Sequence, residues 1–206
     1  MHQIARHIVL LIILVSLGGC ASWGWGEAKQ TATRLDDNTK QRIHTWFLNS
    51  PLDVPRLGRL DEVANFVRHQ GFTNTDFVGS TNVEKIANEI RDIRRRDRNA
   101  KFVLVGWSGA SLYCWDIADL VARDGIVIDR IIYLDSEWLV KRLQERPHPR
   151  NVRRVLCLYR EGHDAPTTLP NAQRITVPTT QHMAVAKNPE TVRLVVQELV
   201  NLGYGL

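Results

Sequence analysis

Apolar positions along this chain follow two patterns that alternate. Short apolar runs occur at 45–48, more weakly at 76–79, then at 102–105, 131–134, 152–159 and near 174–177. Runs that do not alternate with polar residues predict strands buried on both faces. Between them the spacing changes. Leu60, Val63, Ala64 and Val67 recur at i, i+3, i+4 and i+7, one face of a helix that Gly71 stops. Thr81 and Glu84 fit a capping box that opens a helix carrying Val83, Ile86, Ala87, Ile90 and Ile93. A third helix is predicted from about Ala110 to Arg123. A closing one starts at Pro189 and carries Val192, Val195, Val196 and Leu199. Strands and helices in alternation predict an α/β fold: a mostly parallel sheet of about six strands with helices on both faces. Ligands of such sheets bind beyond the carboxyl ends of the strands.

Residues 1–40 follow neither pattern. Arg6 precedes an apolar stretch over 8–17 that only Ser16 interrupts. About ten residues are too few to span a bilayer, so the stretch reads as an export signal. It ends in Leu17-Gly18-Gly19-Cys20, which resembles the lipobox of bacterial lipoproteins. The resemblance implies that residues 1–19 are a signal peptide and that Cys20 is diacylated and becomes the mature N-terminus. The alternative is a plain secretory signal that happens to contain a cysteine. Two or three acyl chains would hold the protein stably in a bacterial cell envelope, facing the periplasm or the exterior. Ala21 in place of Asp leans towards the outer membrane if the cell is Gram-negative. Residues 20–40 are polar and small and read as a lipidated tether; Trp23 and Trp25 within it are either at the membrane interface or incidental. That leaves 41–206 as one domain.

Composition changes this picture little. The chain has 206 residues, 44% apolar and 24% charged, with a formal net charge of +5, which excludes a disordered chain. Arg94, Arg95 and Arg96 are flanked by Asp92 and Asp97, so they read as the polar end of a helix and not a nucleic-acid patch. The sequence shows no metal-ligand cluster and no dinucleotide or phosphate loop, so no cofactor is expected. Cys114 and Cys157 read as two buried thiols in preference to a disulfide.

Candidate chemistry centres on Ser108. Val103-Leu104-Val105-Gly106-Trp107-Ser108-Gly109-Ala110 passes from buried strand to helix within a few residues. So sharp a turn needs small residues on both sides of its centre, and it thrusts Ser108 out at the strand end. The segment resembles the nucleophile elbow of the α/β-hydrolases, with Ala110 where the last glycine of the motif stands. The resemblance implies an α/β-hydrolase fold and a serine hydrolase acting on an ester or thioester. It also implies a histidine last in chain order, and His182 follows the final predicted strand; His163 is the rival. For the acid it favours Asp164, in the loop Arg160-Glu161-Gly162-His163-Asp164-Ala165-Pro166. Asp135, at the end of the 131–134 strand, is the alternative, and Glu161 is a weaker one. Oxyanion donors are expected at the Gly109 N–H and in the loop after the first strand, near Leu48 or Asn49. The region 136–150, with Trp138 and Leu139, is expected to form a small cap. A second class of function stays open: a hydrolase scaffold kept as a binding or envelope-interaction module, motivated by the lack of a Gly-rich oxyanion loop.

Overall fold

A computed structural model describes residues 24–206 except Val54, Ser80 and Thr81. Helix α1 is described over 24–32. It is followed by α2 (Asp37–Lys40), β1 (Ile43–Leu48), α3 (Leu60–His69), β2 (Thr75–Val78), α4 (Val83–Arg96) and β3 (Lys101–Trp107). A 3-10 turn (Ser108–Ala110) leads into α5 (Ser111–Ala122), β4 (Ile128–Leu134), α6 (Trp138–Glu145), β5 (Val152–Arg160), β6 (Ala172–Val177), α7 (His182–Val185) and α8 (Pro189–Gly203). The six strands form one parallel sheet in the order β2-β1-β3-β4-β5-β6.

The uninterrupted apolar runs are explained by burial on both faces. Phe47, Val103, Val105, Ile132, Leu134 and Leu156 pack against α1, α3 and α8. Their neighbours in sequence, Trp46, Leu48, Phe102, Leu104, Ile131 and Tyr133, pack against α4, α5 and α6. A residue on either face therefore leaves water, which is the main driving force holding the layers together. Cys114 and Cys157 are free and buried, as the sequence suggested. The predicted capping box falls partly outside the described residues, since Thr81 is not described. Asn82 caps α4, its side chain accepting from the Lys85 N–H at 3.0 Å.

The tether is corrected where it is described. Residues 24–40 are not a spacer but part of the domain. Ala28, Ala32 and Leu35 are buried in the core that α3 and α8 share. Trp25 packs edge-on to Phe66, with ring centroids 4.7 Å apart, and so is not free for a membrane interface. A tether would tolerate truncation of Leu35. Here Leu35→Ala is expected to lower unfolding free energy by about 2–5 kcal/mol, measured by urea denaturation, because it empties a buried site.

His148, between α6 and β5, is buried against Trp115 at a ring-centroid distance of 4.9 Å, and its Nε2 pairs with the Tyr133 hydroxyl at 3.0 Å. Burial disfavours its cation and brings its pKa from 6.5 down to about 4. The unfolded chain binds a proton here near pH 6.5, whereas the folded chain does so only near pH 4. Stability is thus complete above pH 6.5 and is lost as pH falls towards 4. By pH 4.5 the loss from this group is roughly 2.5 kcal/mol. His148→Gln is expected to show a correspondingly shallower acid slope in urea titrations from pH 7.5 to 4.5. Equal slopes would refute this.

Candidate active site

The carboxyl ends of β3, β4 and β5 meet at one edge of the sheet, and the polar residues of interest lie just beyond them. Ser108 follows β3 directly. Its φ is +54°, a left-handed conformation that costs a non-glycine residue roughly 1–2 kcal/mol and that the packing around it must impose. The reason is close quarters. A Cβ on Gly106 would lie 2.6 Å from Cys114 Sγ and 2.9 Å from Ser111 Cα, so strand and helix approach more closely than any other residue permits. The Ser111 hydroxyl donates to the Gly106 carbonyl at 3.1 Å and ties the turn off. Gly109 sits in the first turn of the helix that follows, where backbone N–H groups lack intrahelical acceptors.

His182 opens α7. Its imidazole stacks on the indole of Trp107, with centroids 5.3 Å apart and planes 25° apart. Trp107 immediately precedes Ser108, so one buried ring links the serine to the histidine. His182 Nδ1 lies 2.6 Å from Asp135 Oδ2. A carboxylate only accepts, so Nδ1 is the donor in this pair.

Asp135 directly follows β4, also with a positive φ (+46°), and is fully buried. Burial alone would raise its pKa. The His182 hydrogen bond and the Arg160 guanidinium outweigh that and hold the carboxyl below its ordinary range. Arg160, the last residue of β5, pairs through Nη1 with Asp135 Oδ2, and its N–H reaches Oδ1 at 3.4 Å. Its Nη2 donates to Glu137 Oε1 at 2.8 Å and lies 2.8 Å from His163 Nε2. Asp135 Oδ2 thus accepts from both His182 and Arg160.

These positions correct the acid. Asp164 is exposed in the loop after β5, and no hydrogen bond or ion pair among the described residues joins it to His182. Glu161 is likewise exposed, and His163 contacts Arg160 and Glu137, not the serine turn. The oxyanion positions are corrected too. Leu48 lies inside the sheet ladder, in register with Val78 and Gly106. The Asn49 N–H is spent on the Val78 carbonyl at 3.0 Å, and its side chain donates to the Asp53 carbonyl. The loop reaches the elbow one residue later. Pro51 Cδ and Ser50 Oγ lie 3.4 and 3.8 Å from where a Gly109 Cβ would stand. Ser50, Trp107 and Arg160 are site residues that the sequence did not single out. The 136–150 region contributes α6, whose Leu139 is buried and whose Trp138 is 48% exposed.

The architecture is the α/β one expected: a six-stranded parallel sheet in the order β2-β1-β3-β4-β5-β6 with helices on both faces. No protein-family model and no curated relative matches the chain. Among solved structures it is similar to a predicted CIB-like hydrolase from Thermoplasma acidophilum, with 16% identity over 77% of this chain and 86% of that one, at a TM-score of 0.48. It is also similar to the NocB thioesterase domain in a covalent complex with a fluorophosphonate nocardicin G analogue, with 13% identity over 79% and 95% of the chains, at a TM-score of 0.45.

Proposed function

We propose that the chain is an exported, lipid-anchored serine hydrolase that cleaves a carboxylic ester or thioester through an acyl-enzyme. The observation that carries the reading is the buried Asp135 bonded to His182 at the same sheet edge as the left-handed Ser108. In this reading His182 Nε2 takes the Ser108 proton as the hydroxyl oxygen attacks the acyl carbonyl. The tetrahedral oxyanion is met by the N–H of Gly109, with Ser50 supplying the second donor. Asp135 stabilises the imidazolium and fixes its tautomer. His182 then protonates the leaving alcohol or thiol. A water, deprotonated by His182, attacks the acyl-enzyme, and collapse of the second intermediate restores Ser108 and releases the acid. Neither a metal nor an organic cofactor enters these steps. The lipobox-like segment ending at Cys20 supports attachment to a bacterial membrane by acyl chains.

A p-nitrophenyl ester series from acetate to dodecanoate tests the reading. Turnover by the wild type that depends on acyl length is expected. Rates equal to buffer for every member would favour the scaffold with a binding role instead.

A further inference from the structure

Helix α1 and its surroundings fix at which end of the domain the described chain begins. α8 begins beside the end of β6, where Asn188 Nδ2 donates to the Pro178 carbonyl at 3.4 Å. It ends at the opposite edge of the sheet, where Lys101 Nζ, at the start of β3, donates to the Leu202 carbonyl at 2.5 Å. α1 lies along α8 in the same direction. A Cβ on Gly24 would stand 2.6 Å from Pro189, at the first turn of α8. Leu35 packs on Gly203, at the last turn, and Glu27 Oε2 is 3.8 Å from Arg193 Nε between them. The described chain therefore starts at the edge that carries Ser108, Asp135 and His182. In sequence Cys20 is four residues before Gly24, and four residues of chain reach at most about 14 Å.

The same edge carries exposed and half-exposed apolar side chains. Leu52 is 81% exposed and follows Pro51, which touches the elbow. Leu57 is 57% exposed and precedes Gly58, which is packed on the Trp107 ring. Trp138, 48% exposed, follows Glu137, which Arg160 holds at the end of β5. Large exposed aliphatic and indole groups around a polar centre cost free energy in water and gain it at a lipid interface.

We infer that the active-site edge of the sheet docks on the bilayer itself, with Leu52, Leu57 and Trp138 immersed among the headgroups and upper acyl chains. The inference rests on the acylation of Cys20 proposed above; it does not depend on catalysis. It presents Ser108 to acyl esters held in the membrane, not to those free in solution.

Nitroxide labels at Leu52→Cys, Leu57→Cys and Trp138→Cys, with Arg95→Cys at the far end of α4 as the control, test it. The full chain is expressed with its own N-terminal segment, its acylation is checked by mass spectrometry, and it is reconstituted on phosphatidylethanolamine–phosphatidylglycerol vesicles. Labelling is directed to the new thiols because burial shields Cys114 and Cys157, whose own thiol pKa is pushed up to about 12 at Cys157. The three rim labels are expected to become several-fold more accessible to oxygen than to a nickel chelate, and the Arg95→Cys label to stay accessible to nickel. Rim labels that match the control on vesicle-bound, acylated protein would overturn the orientation alone. A Cys20 without acyl chains would overturn both the anchor and the orientation. Rim immersion in a protein that turns over no ester would uphold the orientation and count against the hydrolase reading.

Discussion

Ser108→Ala is expected to cut ester turnover by at least about a thousandfold, towards the residual rate that binding and oxyanion stabilisation alone provide. The loss follows from the proposed chemistry, in which the Ser108 hydroxyl is the attacking group. It should come without unfolding. No hydrogen bond to the Ser108 hydroxyl occurs among the described residues, so truncation leaves no buried partner unsatisfied. Ser108→Gly sharpens the test. At a φ of +54° glycine escapes the strain that an L-side chain suffers, so this variant should be equally inactive yet about 1 kcal/mol more stable. Steady-state p-nitrophenyl ester hydrolysis and urea denaturation measure both arms. A Ser108→Ala protein that keeps more than a tenth of wild-type activity would remove the serine from the mechanism.

The second large effect separates two carboxylates. Asp135→Asn is expected to lower kcat by about ten-thousandfold, because an amide can present a donor to His182 and favour the wrong tautomer. It also leaves the Arg160 guanidinium beside the imidazole with only Glu137 to balance it. Asp164→Asn should change kcat less than about twofold, since that side chain is exposed and away from His182. The pH dependence has a definite sign. Asp135 has a folded pKa below its ordinary value, so its contribution to stability is present above that value and is lost as pH falls through the folded one. The Asn variant should therefore be less stable at pH 7 and should lose less on acidification below pH 4.

Much of this was legible in the sequence, for physical reasons that differ by residue. The strands buried on both faces announce themselves as unbroken apolar runs; the edge strands β2 and β6, half-exposed, carry weaker runs that the alternation with helices still placed. The elbow was legible because Gly106 and Gly109 flank a serine between a strand and a helix. His182 was legible because it follows the last strand. The carboxylate that meets His182 was misread because a strand end is a matter of a residue or two. β5 carries on to Arg160, and the chain then turns into an exposed loop, so the Gly-His-Asp-Ala-Pro pattern leads away from the site. Asp135 had the better signal. Like Ser108, it is the first residue after a fully buried strand. Asn49 was misplaced by the same one-residue margin, because the sheet ladder uses its N–H. α1 went unseen because its buried face is made of small residues. Ala28 and Ala32 stand one turn apart, at i and i+4, a helical spacing that their size conceals among polar neighbours. Arg160 had no local signal at all, since its role depends on β4 and β5 lying side by side.

The central claim is that Ser108 is a nucleophile activated by His182 under the direction of Asp135. Its most direct test is mass-spectrometric mapping of the protein after exposure to a fluorophosphonate. One phosphonyl adduct on the peptide carrying Ser108 is expected in the wild type, strongly slowed in Asp135→Asn and unchanged in Asp164→Asn. The absence of an adduct, under conditions that label a known serine hydrolase, or an adduct on another residue, would contradict the account.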